Sequence, residues 1–353
     1  MGTICAEHQL LSTTTSRVRL PLIFMIVLLH CYCAINIQGL SLYHQLVYPF
    51  GLWLGETGVP TFFFISGFLF FYSKRTYREK LHSRVSTLLI PYLFWNALLL
   101  FIYYILAWSG HPMLIAGRNV AEYGLMDYLR AFVDRGDWNQ GNGVPLLCPF
   151  WYIRNLMVLC VLSPVFYYAI RYLKFLFILL LFGWWMMIPF NGMIASSILF
   201  FCMGAFFSIE HINPLTALRQ HNKLFILIWL AFFMADWGGH TLWHMPFALY
   251  VHRIALVLNI FAMLLAGSYF KESHHNGWSL LNKSAFWIYA VHYPLTTMAG
   301  KVATRYLNGA SDLQVLGFYF LTVLVVTTIC VVSFALLNKL CPRIVSITTG
   351  NRA

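Results

Sequence analysis

Ten stretches of about twenty apolar residues recur along this chain, at roughly 18–37, 56–73, 85–108, 149–170, 174–190, 193–209, 223–238, 247–270, 284–303 and 313–338. Each is long enough, as a helix rising 1.5 Å per residue, to approach or cross a hydrocarbon layer about 30 Å thick. Only 34 of the 353 residues are acidic or basic, and 60% are apolar. A soluble domain carries about 25% charged residues and about half apolar ones. So few charges cannot wet the surface of a cytosolic protein. The chain is therefore expected to be all-α, a polytopic bundle of about ten membrane spans. A disordered chain and a secreted disulfide scaffold are excluded on the same ground, since the eight Cys have no framework spacing.

Residues 20–29 have the look of a signal-peptide core, but His30, Cys31, Tyr32 and Cys33 offer no small-residue cleavage site. This segment reads as an uncleaved first span. Residues 109–148 are rich in Gly and Pro and form the longest stretch outside the spans. One integral membrane domain over 1–353, with an extracytoplasmic loop at about 109–148, accounts for the whole chain.

The net charge of +12 would point to nucleic acid in a soluble protein. In a membrane chain it sets orientation, because Lys and Arg collect in cytoplasmic loops. Placing both termini inside puts 16 of the 23 Lys and Arg on the cytoplasmic face, among them the dense run Lys74 to Arg84. The partners expected are a lipid bilayer and small substrates, with no nucleic acid.

Ionisable groups inside apolar spans are costly and mark function. Arg19 and His30 lie eleven residues apart, three turns and about 20°, so they share one face of the first span about 16 Å apart. The same spacing also suits a snorkelling Arg and a packed His. The second span holds Pro60, Ser66 and Gly67, which loosen the backbone or let helices approach closely. Arg78, Lys80 and Arg84 anchor the loop that follows and would attract a phosphorylated donor. Arg154 and Asn155 begin the fourth span, as an acceptor contact or a helix-end clamp. His292, in the ninth span, is a core residue or an assistant at the site. His240 and His244 have the spacing of a metal pair, but Gly238, Gly239 and Pro246 flank them and no metal site is expected.

Four of these features in order resemble acyltransferase family 3. They are Arg19-x10-His30; Val59-Pro60-Thr61-Phe62-Phe63-Phe64-Ile65-Ser66-Gly67-Phe68; the basic loop leading through Arg84 to Pro91-Tyr92; and Phe286-Trp287-Ile288-Tyr289-Ala290-Val291-His292-Tyr293-Pro294. The resemblance covers nearly the whole chain. It implies a membrane acyltransferase that moves an acyl group, here taken as acetyl, from cytoplasmic acyl-CoA to a hydroxyl of a glycan or lipid-linked sugar. It implies that Arg19 and His30 are the essential pair, with His30 as general base or acyl-accepting nucleophile. Arg19, Arg78, Lys80 and Arg84 would hold the donor; Phe63, Ser66, Gly67, Trp151, Arg154, Asn155 and His292 would line the acceptor and core site. No permanently bound cofactor is expected; acyl-CoA is a substrate. The expected location is the inner (cell) membrane of a bacterium. Where many members carry Trp-Ser-Leu-x-x-Glu, this chain reads Trp151-Tyr152-Ile153-Arg154-Asn155, so a carboxylate partner for His30 is missing from the expected place. The competing reading is a transporter or flippase of a glycan intermediate. Against it, no inverted repeat is evident.

Overall fold

A computed structural model describes residues 11, 13–35, 37, 39–111, 113–115, 118–135, 143–188, 192–270 and 276–351. Apolar sequence in lipid must satisfy its backbone internally, and the described chain is helical almost throughout. The spans begin with α1 (Arg19–Ala34). A composite helix follows: α2 (Ser41–Tyr48), a π-helical turn at Pro49–Leu54, a 3₁₀ turn at Gly55–Thr57 and α3 (Gly58–Tyr72). The expected second span thus starts some fifteen residues early and is broken mid-way, where the π-turn re-aims the backbone. That break places Glu56 inside the bundle.

Thr76 caps α4 (Tyr77–Arg84): its hydroxyl accepts from the Glu79 N–H, and Glu79 returns the bond to the Thr76 N–H at 2.7 Å. A π-turn at Val85–Leu89 joins it to α5 (Ile90–Trp108). The connecting loop holds a two-stranded antiparallel ribbon, β1 (Leu114–Ile115) with β2 (Arg118–Asn119), and the short α6 (Leu125–Ala131). There Arg118 pairs with Asp127 at 2.9 Å and holds its carboxyl below the usual range. Then come α7 (Trp151–Leu173), α8 (Phe175–Met187), α9 (Met193–Ile209), α10 (Pro214–Gln220), α11 (Asn222–Thr241), α12 (Ala248–Tyr269), α13 (Asn276–Tyr306), α14 (Asp312–Leu340) and α15 (Pro342–Thr348).

All ten expected apolar segments coincide with helix. Six helical spans among the described residues are long and apolar enough to cross a membrane unaided, and a seventh arises if α9 and α10, bent by 89°, are taken together. Helices α1 and α8, at 16 and 13 residues, are shorter than the roughly twenty that a bilayer needs. Helix α13 has the length, 31 residues, but carries Lys283, His292, Lys301 and Arg305 along it. The chain is an integral multi-pass membrane protein.

Two contacts between backbones organise the bundle. A Cβ on Gly67 would lie 2.0 Å from the Phe201 carbonyl oxygen, and one on Gly204 would lie 1.9 Å from that of Phe64. Helices α3 and α9 therefore touch backbone to backbone, as small residues permit. Gly300 likewise brings α13 against the Ala34 carbonyl at the end of α1, 2.5 Å from where its Cβ would be. Gly67→Val should cost about 3 kcal/mol or more, since the obstacle is backbone and cannot turn aside. Gly183→Ala on α8, where an added Cβ meets nothing within 4 Å, should be neutral or mildly stabilising. Melting curves of the two purified variants in detergent check this contrast; equal midpoints would contradict it.

Candidate active site

Helices α1 and α13 run parallel, and their contact sets two imidazoles together. His30 Nδ1 lies 2.8 Å from the Ile26 carbonyl oxygen, and His292 Nδ1 lies 2.9 Å from that of Ile288. A carbonyl only accepts, so both bonds require a proton on Nδ1. His292 Nε2 then bears a lone pair, and it sits 3.2 Å from His30 Nδ1. The His30 N–H is thus shared between the Ile26 carbonyl and His292. This assignment leaves the lone pair on His30 Nε2, for which no hydrogen bond is found among the described residues. His30 Nδ1 thus faces two acceptors, and fully buried His292 supplies one of them.

Two cavities lie toward opposite ends of this helix pair. One, of about 250 Å³, is lined at the N-terminal ends of α1 and α13 by Arg19, Arg84 and Lys283, and deeper by Ser66, Tyr152 and Tyr289. The other, of about 550 Å³, is lined by His30, Cys33, Tyr293, Thr297, Lys301 and Arg305 among others. Aromatic side chains stand between the smaller cavity and the imidazoles. Phe63 and Tyr152 rings are 4.7 Å apart, Tyr152 and Tyr289 are 6.3 Å apart, and Tyr289 and His292 are 6.2 Å apart. Ser66 Oγ lies 3.1 Å from the Tyr152 hydroxyl.

The residues singled out in the sequence separate accordingly. Arg19, Arg84 and Ser66 meet at the smaller cavity, whereas His30 opens to the larger one. Phe63 packs in the aromatic layer, with Trp151 5.9 Å away. Gly67 faces α9 and serves packing. Arg78 lines a separate surface cleft with Arg75 and Glu79, and Lys80 lies over the Phe70 ring at 5.1 Å. Arg154 donates to the Val133 and Gly143 carbonyls at 2.5 and 2.8 Å and to Asn155 Oδ1, and Asn155 donates to Ser197. This pair fastens the loop to α7 and α9 and lines neither cavity. Lys283, Tyr152 and Tyr289 were not singled out. Lys283 had a legible signal: it begins the span nine residues before His292, as Arg19 begins the span that carries His30.

A second buried polar cluster joins the broken helix to α11 and α12. His252 has Asp236 Oδ2 2.9 Å from Nδ1 and Glu56 Oε2 3.0 Å from Nε2. With a carboxylate oxygen at each nitrogen, the ring is satisfied as an imidazolium donating both ways. His240 Nδ1 adds a contact to Asp236 Oδ1 at 3.0 Å. His240 ends α11, and His244 lies past it at φ 47°, so the two do not share a helix face. Arg253 donates to the Trp185, Met186 and Ile188 carbonyls, which ties down the end of α8.

Comparison with known proteins agrees with the geometry. Residues 18–336 match the family model described as an acyltransferase domain. The chain belongs to acyltransferase family 3. It is 26% identical over 321 residues to the succinoglycan biosynthesis protein ExoH of Rhizobium meliloti (strain 1021), covering 85% of this chain and 82% of that one. No solved structure matches it. As a family member the chain is a membrane acyltransferase.

His252→Ala would take a partner from buried Asp236 and from part-buried Glu56 and should cost about 3 kcal/mol or more. Arg118→Ala breaks an exposed pair and should leave the melting midpoint where it is. A melting series in detergent that ranks the two the other way would refute the view that the buried cluster holds the broken helix in place.

Proposed function

We propose that this acyltransferase moves an acyl group, acetyl in the simplest case, from acyl-CoA to a hydroxyl of a polysaccharide or lipid-linked sugar. One observation carries the reading. An imidazole with an unclaimed lone pair lies between two cavities with cationic mouths, at opposite ends of one parallel helix pair. The name of the similar ExoH, a succinoglycan biosynthesis protein, supports a polysaccharide acceptor.

The donor enters at Arg19, Arg84 and Lys283, whose charges face the nucleotide phosphates. This mouth is cytoplasmic, where the basic run 74–84 also lies by the excess of Lys and Arg on that face. With both termini inside, the α1 and α13 pair rises outward together and the loop at about 109–148 is extracytoplasmic. The ten helical segments form about ten crossings, the short ones completed by their neighbours. The thin pantetheine arm reaches past Tyr152 and Tyr289, which turn aside to admit it. The acceptor occupies the larger cavity.

His30 Nε2 takes the proton of the acceptor hydroxyl as its oxygen attacks the thioester carbonyl. The carbon–sulfur bond breaks, and CoA leaves as thiolate. The charge that forms on His30 is spread over the Nδ1–H bonds to the Ile26 carbonyl and to His292, which acts as a positioning residue. Holding the two substrates at fixed positions supplies much of the rate.

His30→Gln keeps a hydrogen-bonding side chain but cannot titrate. Membranes given labelled acetyl-CoA should pass label to a glycan fraction about 10²–10⁴-fold more slowly with this variant, at unchanged protein abundance. Label transferred at the wild-type rate would overturn the mechanism.

Donor binding separates the basic residues. Replacing Arg19, Arg84 and Lys283 together by Gln should raise KM for acyl-CoA, at about 1 kcal/mol per partly exposed contact. Replacing Arg78 and Lys80 should change it little, because neither lines the cavity. Equal effects in the two sets would show that the loop acts only as a diffuse field.

A further inference from the structure

The larger cavity has a charge that acyl transfer to a plain hydroxyl does not require. Lys301 and Arg305 stand one turn apart on α13, on the wall that leads away from His30. Neither forms an ion pair among the described residues, and none of the described residues lining the cavity is Asp or Glu. Arg135, from the loop after α6, reaches the same region and hydrogen-bonds the Tyr293 phenol. Positive charge at a concave site, uncompensated by protein, seeks an anion.

Threonines add hydroxyls to the same wall, Thr297 on the way from His30 to the cations and Thr304 between Lys301 and Arg305. Thr297 Oγ1 donates to the Tyr293 carbonyl at 2.9 Å, and Thr304 Oγ1 donates to the Gly300 carbonyl at 3.0 Å. Each has spent its proton on its own helix and presents oxygen lone pairs to the cavity. Such a surface accepts from sugar hydroxyls. From the level of Tyr293 to Lys301 the helix rises about 12 Å, and to Arg305 about 18 Å. The side chains of Lys301 and Arg305 lean back along the helix toward His30, on the wall of the same cavity, so one acceptor can meet the cations and the base at different points along its length.

We infer that the larger cavity is an acceptor site for an anionic glycan, one whose phosphate or carboxylate is held by Lys301 and Arg305 while a hydroxyl elsewhere on the same molecule meets His30. The inference rests on the acyl-transfer reading for the role of that hydroxyl, but the anion site stands on its own geometry. Its consequence is regional selectivity. The fixed distance between cation and base decides which sugar of the acceptor is acylated.

Binding tests it without turnover. The purified full chain in uncharged detergent is dialysed against three labelled probes of equal sugar length: a polyprenyl diphosphate-linked oligosaccharide, an oligosaccharide ending in a uronic acid, and the neutral oligosaccharide. Tighter binding of either anionic probe than of the neutral one, by about tenfold, is expected, and the two anionic arms tell phosphate from carboxylate. Lys301→Gln with Arg305→Gln should remove that preference, and added salt should erode it. Lys301→Arg with Arg305→Lys keeps the charge and should keep binding within about threefold, so a merely misfolded Gln variant is recognised. Equal binding of all three probes, or a Gln variant that still prefers the anions, would overturn the inference and leave the two cations as interface anchors. If the anionic preference is present and lost in the Gln variant while no label passes from acyl-CoA to any probe, the anion site is upheld and the acyl-transfer reading fails.

Discussion

The parallel contact of α1 with α13 is the interaction on which the rest depends. Gly300 lets one backbone rest on the Ala34 carbonyl of the other, and that approach sets His30 Nδ1 3.2 Å from His292 Nε2. Neither imidazole could sit in an apolar bundle alone, because a buried polar atom without a partner costs free energy comparable to a lost hydrogen bond. Here each ring donates to the carbonyl one turn back and the remaining contact joins the two. The result is a pair of imidazoles with fixed tautomers, held by helix carbonyls and by each other.

Parallel helices also divide the charges. Arg19 and Lys283 begin their spans at one end, and Lys301 and Arg305 close α13 at the other. The imidazoles lie between, screened from the smaller cavity by Phe63, Tyr152 and Tyr289. The buried cluster of Glu56, Asp236 and His252 lies apart from them. It uses charge for architecture, pinning the 3₁₀ turn of the broken helix to α11 and α12, where removal of one partner is far more costly than its presence is beneficial.

Much of this was legible in single stretches of sequence. Arg19 and His30 share a face by counting residues, and apolar runs mark the helices. The basic residues were harder. Arg78, Lys80 and Arg84 look alike in a run of eleven residues, yet only Arg84 lines the cavity: Arg78 lies on another face of α4, and Lys80, one turn before Arg84 on the same face, ends over the Phe70 ring. Arg154 and Asn155 sit where an acceptor contact was expected and instead fasten the loop. Gly67 was read both as a site residue and as a packing residue; its close approach to the Phe201 carbonyl shows the packing.

Composition and periodicity by themselves determined that the chain is a helical membrane protein, and motif order determined its family, since both are written in short runs of residues that lipid forces into helix. Only the tertiary structure decided which residues meet. His30 and His292 are 262 positions apart, as are Glu56 and His252 at 196. No local pattern reports such a pairing, because it arises from how closely two backbones can approach, and that is set by the side chains on both helices at once.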